Sequence, residues 1–341
     1  MTPELIKNLL VQAGIADPDE VPVIEPLTGG VSSGIFKVVV HSGTYCVKQA
    51  LPKLKVEKDW TVPTNRVFSE IAWLQEAAGI VPGHVPRVIA VNEQARAFVM
   101  QFLDEKVNRN WKALLMEGAV EEGAGQKIAS VVGRIHEATA SRPDVRKRFQ
   151  NSANFYLLRL ESYLIEAASS NPDLSRELID LVHSVQHHPL VLVHGDVSPK
   201  NIFLGANDAI LLDAECACFS DPAFDVAFLL NHLLLKSVYR PKFRSGFLQL
   251  LQEIHDEYMT YVTWEPKGIL EARIARLLPG LMLARVDGKS PVEYLSTKQR
   301  STVRKVARKL LVQPKPTLSQ ITDEWESSLM DRSILEVPAA D

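Results

Sequence analysis

Residues 190–213 constrain the fold of this chain more than any other stretch. They are a strand-like island in a C-terminal portion that otherwise reads as helix. Two apolar arms, 202–204 and 209–212, flank Gly205-Ala206-Asn207-Asp208, whose residues supply turn geometry. A hairpin brings the residue before its first arm beside the residue after its second. Asn201 and Asp213 therefore meet at the open end, and Asp196 lies just upstream on a loop stiffened by Gly195 and Pro199. An amide oxygen and a carboxylate beside a second carboxylate are hard donors that suit magnesium, which usually shares phosphate oxygens with a nucleotide. Phosphoryl transfer needs such a metal, and one carboxylate to orient the attacking hydroxyl and accept its proton. Asp196 fits that second role as a positioning base that needs no large pKa shift. An aspartate beside a turn is by itself usually a cap, so the joint spacing carries the reading.

The rest of the chain frames the island. Its 341 residues, 46% hydrophobic, predict two domains or two lobes around a cleft. Thr2 as N-cap, Pro3 in the first turn and Gly14 after the last predict an opening helix. Residues 35–40 and 45–50, joined by His41-Ser42-Gly43-Thr44, read as a hairpin. A helix over 66–78 and short strands over 86–91 and 97–103 complete the N-terminal part. Helices are predicted over 111–115, 122–140, 155–168, 174–183, 222–235, 243–262, 270–283 and 301–311. The tail after Pro314 is polar, with scattered prolines, and partial order is expected there. A formal charge of −3 gives no reason to expect nucleic acid or an anionic membrane as partner. No apolar run is long enough to span a bilayer, and no secretion signal is visible. Cys46, Cys216 and Cys218 cannot build a disulfide framework, and Cys216-Ala217-Cys218 reads as small buried residues. A cytoplasmic setting is expected.

His194-Gly195-Asp196-x-x-x-x-Asn201, followed after the hairpin by Asp213-Ala214-Glu215, resembles the aminoglycoside phosphotransferase and choline kinase superfamily. The resemblance implies an α+β fold of protein-kinase type. It has a small antiparallel N-lobe, residues 1–103, which binds nucleotide. A mostly helical C-lobe, residues 104–341, carries catalysis and acceptor binding. The resemblance further implies ATP and Mg2+ as cofactors. A glycine-rich loop is expected over 27–36, with Gly29, Gly30, Ser32 and Ser33 at the phosphates. Lys48, on the following strand, is expected to touch the α- and β-phosphates, with Glu70 of the crossing helix holding it. The backbone of Gln101 and Leu103 is expected at adenine, with Met100 behind it.

Gly195 stands where regulated protein kinases have an arginine, and about seven residues separate Asp213 from the helix opening at Asp221-Pro222. Both features point to a small-molecule acceptor bound over the C-lobe helices. Asp225 is expected to tie that helix to the catalytic loop, and Lys200 is read as exposed. Asp213-Ala214-Glu215, Asp59-Trp60, Arg66, Glu70, Trp111 and residues 133–136 and 220–224 resemble methylthioribose kinases. Val197-Ser198-Pro199-Lys200 departs from that branch. Residues 283–291 read as a helix end and turn, and Glu215 and Arg285 are candidates for acceptor contact. A sugar-like or methylthioribose-like acceptor is favoured over an aminoglycoside or a choline-type one, and over a pseudokinase module. A monomer or homodimer is expected.

Overall fold

The computed structural model describes residues 1–27, 32–53, 61–206 and 208–330. Gly29, Gly30, Asp59 and Trp60 lie outside the described residues. α1 (Pro3–Gln12) starts where Thr2 Oγ1 accepts the Leu5 amide at 3.3 Å, a cap that contributes about 1 kcal/mol. β1 (Val23–Pro26), β2 (Ser33–Val40), β3 (Gly43–Ala50), β4 (Val88–Asn92) and β5 (Ala97–Gln101) form an antiparallel sheet in the order β1-β2-β3-β5-β4. β1 escaped the sequence reading because it is a short, mostly exposed edge strand ending in proline.

Alternation along the strands divides the sheet into two faces. Val38, Val47 and Val99 pack with Ile6, Leu9 and Leu10 of α1. Cys46, Phe98 and Met100 join the opposite core, together with Trp73 and Leu74 of α2 (Arg66–Ile80). Lys48 shares the parity of Cys46 and therefore lies on the α2 face. That second core continues into the helical part of the molecule, so α2 is common to both halves.

The helical part begins with β6 (Arg109–Asn110), α3 (Trp111–Glu117), α4 (Ala124–Thr139) and α5 (Pro143–Arg148). α6 (Ala153–Phe155), a π-helical stretch at Tyr156–Ile165 and α7 (Glu166–Ser170) run on from one another, followed by α8 (Ser175–His187). The island then supplies β7 (Val191–Val193), a 3-10 turn at Pro199–Asn201, β8 (Ile202–Leu204), β9 (Ala209–Leu211) and β10 (Cys218–Ser220). α9 (Pro222–Tyr239) is buried almost all round, as a central helix should be. It packs against α10 (Arg244–Thr260), α11 (Lys267–Asp287) and α12 (Thr297–Val312). In the tail, where partial order is expected, α13 (Leu318–Met330) buries Trp325, whose Nε1 donates to Ser237 Oγ at 2.8 Å. Among the described residues no helix is long and apolar enough to cross a membrane. Cys46, Cys216 and Cys218 are buried and unpaired, as the sequence suggests.

Candidate active site

β7 pairs antiparallel with β10 and delivers His194-Gly195-Asp196 to the cleft. Asp225, fully buried on α9, accepts the His194 amide at 2.7 Å and the Gly195 amide at 2.9 Å. The helix is thus tied to the loop as expected. Burial holds the His194 imidazole below its ordinary pKa. Neutral, it accepts the Asp196 amide at Nδ1 and donates from Nε2 to Leu212 O. Gly195 has φ +76°, and a Cβ there would lie 2.8 Å from the Cys216 carbonyl oxygen. Only glycine fits that backbone at that distance.

Asp196 is 3% exposed. Three donors converge on one of its oxygens, Oδ2: Arg159 Nη2 at 2.9 Å, Asn201 Nδ2 at 2.9 Å and Lys200 Nζ at 3.0 Å. Among the described residues no hydrogen bond reaches Oδ1. Burial alone would raise the Asp196 pKa, but Arg159 and Lys200 outweigh it and the pKa is lowered. The sequence reading expected no large shift. It missed Arg159, a buried cation in the π-helical stretch, which also donates from Nε to Gly195 O at 2.6 Å. Its sequence signal is weak: an arginine in a mostly apolar helical run that also holds Glu161 and Ser162.

The hairpin pairs Ile202 with Leu211, and the Leu212 amide donates to Asn201 O at 2.9 Å. Asn201 and Asp213 therefore come together at the open end. Asp213 has φ +66°, which aspartate tolerates at a cost and which is characteristic of functional sites. Lys48, 2% exposed, donates to Glu70 Oε1 at 2.7 Å and to Asp213 Oδ1. Burial alone would lower the Lys48 pKa, but Asp213 and Glu70 raise it. Asp213 is held well below the usual carboxylate range: Lys48 and Lys200 overcome the effect of burial. Glu70 is pushed up to about 7 by burial, only partly offset by the ammonium that it shares with Asp213. Lys200 is exposed, as expected, and is also engaged in ion pairs. Its side chain is 42% exposed, yet it bridges Asp196 and Asp213, lying 3.9 Å from Asp213 Oδ2.

Glu215 lies in the segment that follows Asp213. It is buried and accepts from Arg66 Nε at 2.8 Å. The fully buried Arg66 guanidinium also donates to the carbonyls of Pro63, Leu51 and Ser32. It thereby fastens the end of the glycine-rich segment to the segment after Asp213. Ser32 and Ser33 are buried at that point. Gln101 ends β5, and the Leu103 amide makes no hydrogen bond among the described residues. Arg285, near the end of α11, donates to Ser290 and Tyr163. Residues 283–291 are a helix end and turn, as expected.

Among the described residues no group of three or more His, Cys, Asp or Glu could hold a metal. Asn201 and Asp213 are a two-donor set, which fits a divalent cation that completes its shell with water and phosphate oxygens. Asn201 spends its amide nitrogen on Asp196, and no hydrogen bond engages its amide oxygen among the described residues.

Residues 23–261 match the model of a phosphotransferase enzyme family, named APH. A methylthioribose kinase of Klebsiella pneumoniae is 24% identical over 252 residues, covering 65% of this chain and 62% of that protein. The chain therefore spans less than two thirds of that relative's length. An amicoumacin kinase solved with AMP-PNP and Ca2+ is 14% identical with a TM-score of 0.54, covering 95% of this chain and 99% of that one. Plasmodium vivax ethanolamine kinase is 12% identical with a TM-score of 0.53, covering 96% and 89%. These structures share the α+β fold of this chain.

Proposed function

The chain belongs to the phosphotransferase enzyme family, and from that premise we propose that it moves the γ-phosphate of ATP to a hydroxyl of a small metabolite. Residues 1–103 form the nucleotide-binding lobe of this reading, and residues 104–341 the catalytic and acceptor-binding lobe. The carrying observation is the asymmetry of Asp196. Oδ2 is anchored by three donors, while no hydrogen bond occupies Oδ1 among the described residues. A carboxylate fixed on one oxygen can direct the other at an acceptor hydroxyl, orient it, and take its proton as the O–P bond forms.

Lys48, kept charged and aimed by Glu70, binds phosphate oxygens. Asn201 and Asp213 hold the divalent cation, for which magnesium is the reading. When bound, Mg-ATP supplies the phosphoryl group and the charge neutralisation that a loose transition state needs. Lys200, between Asp196 and Asp213, adds positive charge where the phosphoryl group passes. The Gln101 carbonyl and the free Leu103 amide receive adenine. The amicoumacin kinase solved with AMP-PNP and Ca2+ supports nucleotide and divalent metal use. The methylthioribose kinase likeness supports a sugar-like acceptor.

Titration calorimetry tests the nucleotide half of the proposal. Wild type binds Mg-ATP, and Asp213→Ala weakens it at least tenfold. Unchanged affinity in the variant would remove Asp213 from the metal site.

A further inference from the structure

Lys236 sits on α9 and is 1% exposed. Its ammonium lies 4.3 Å from the centre of the Tyr294 ring, with no hydrogen-bond or ion-pair partner among the described residues. The charged groups that act on it are Lys112 and Arg285, of like sign, and Glu293. Glu293 does not neutralise the pair, because it is 67% exposed and bound to Lys112 at 2.7 Å. Among the described residues Arg285 has no carboxylate partner either, and its Nε is buried without a hydrogen bond. His232 Nε2 and Tyr294 Oη are likewise buried and unpartnered. Burial, Arg285 and Lys236 together keep the His232 imidazole neutral.

A buried ammonium without a counter-ion, beside a half-buried guanidinium that also has none, costs several kcal/mol. Such a cost is characteristic of a site whose ligand brings the missing charge. Burial, then Lys112 and Arg285, push the Lys236 pKa down to about 7. The cluster adjoins the base. Arg159, paired with Asp196, lies 5.9 Å from the centre of the Tyr163 ring, and Arg285 lies 5.7 Å from the same ring. Phe228, also beneath Arg159, meets His232 edge-on at 5.4 Å.

We propose, on the reading that Asp196 faces the acceptor hydroxyl, that the acceptor carries an oxyanion, a carboxylate or a phosphate, bound by Lys236 and Arg285. A cationic amino sugar would meet like charge here. A quaternary ammonium needs open aromatic faces, but the protein's own cations lie over Tyr163, Tyr239 and Tyr294. The oxyanion restores the missing hydrogen bonds to Arg285 Nε and the Lys236 ammonium, and orients the remainder of the molecule toward Asp196.

Thermal unfolding of the full chain with saturating Mg-ADP tests this, using ribose, ribonate, ribose 5-phosphate and choline at millimolar concentration as probes. Ribonate or ribose 5-phosphate raises Tm by a few degrees, and which of them does so separates carboxylate from phosphate. Ribose and choline leave Tm unchanged. Lys236→Met and Arg285→Gln each abolish the rise while keeping the Mg-ADP shift, and Lys236→Arg retains part of it. The proposal is overturned by no rise with either anion, by a rise that survives both substitutions, or by an equal rise with ribose or choline. The reading of Asp196 as the base fails separately: wild-type turnover in Asp196→Ala would end it and leave anion binding standing.

Discussion

Asp196 is a carboxylate with unequal oxygens, and Arg159 does much to make it so. The Arg159 guanidinium holds Oδ2, and its charge is the larger of the two cationic influences that lower the Asp196 pKa. A depressed pKa keeps the group ionised, so proton acceptance survives as pH falls until that lowered value is crossed. Removing the guanidinium leaves burial, which acts in the opposite direction. Arg159→Met should therefore move the acid limb of the kcat/KM profile to higher pH and cost about 10²-fold at neutral pH through lost positioning. A pH–rate profile decides it: an unmoved acid limb with only uniform loss would mean that Arg159 acts on packing alone. Lys236 shows the opposite electrostatics, a cation that burial and like charges push toward neutrality.

At the scale of elements, the hairpin and its preceding loop are a local device, and for that reason were legible in the sequence. Ile202, Leu211 and the turn between them lie within a few residues of Asn201 and Asp213, so spacing alone sets who meets whom. Lys48 and Glu70 were legible only through family resemblance, because the salt bridge joins a strand to a helix. Arg159, Lys236 and the Glu215–Arg66 bond were not legible in these roles. Each depends on how helices distant in sequence pack, and no local pattern marks them. Glycine at 195 was noted for the arginine it replaces, whereas the structure gives it a steric reason. Gly195→Ala combines a left-handed φ with a Cβ that meets Cys216, and should cost about 2–4 kcal/mol in urea unfolding. It should also lower kcat, since the two amides held by Asp225 position Asp196. Unchanged stability would contradict the close approach.

The whole molecule sets the five-stranded sheet against a helical body, and two of the charged side chains that join them lie at the candidate site. One is Lys48, which joins Glu70 of α2 to Asp213 beyond the hairpin. The other is Arg66, which joins the end of the glycine-rich segment to Glu215. The glycine-rich segment, Lys48 and the segment around Asp213 are thereby joined across one continuous core. The outer helices were readable from periodicity, whereas α13, which buries Leu318, Ile321 and Trp325, lay in a tail whose polar composition obscured it. The central claim is that Asp196 activates a hydroxyl for transfer from bound ATP. Its most direct test is acceptor-dependent ADP formation across a metabolite library, with wild type and Asp196→Ala in parallel and Mg-ATP affinity measured for both. Wild type should turn over an acceptor, and Asp196→Ala should lose about 10³-fold while binding Mg-ATP nearly as well. Equal turnover in the variant would contradict the account.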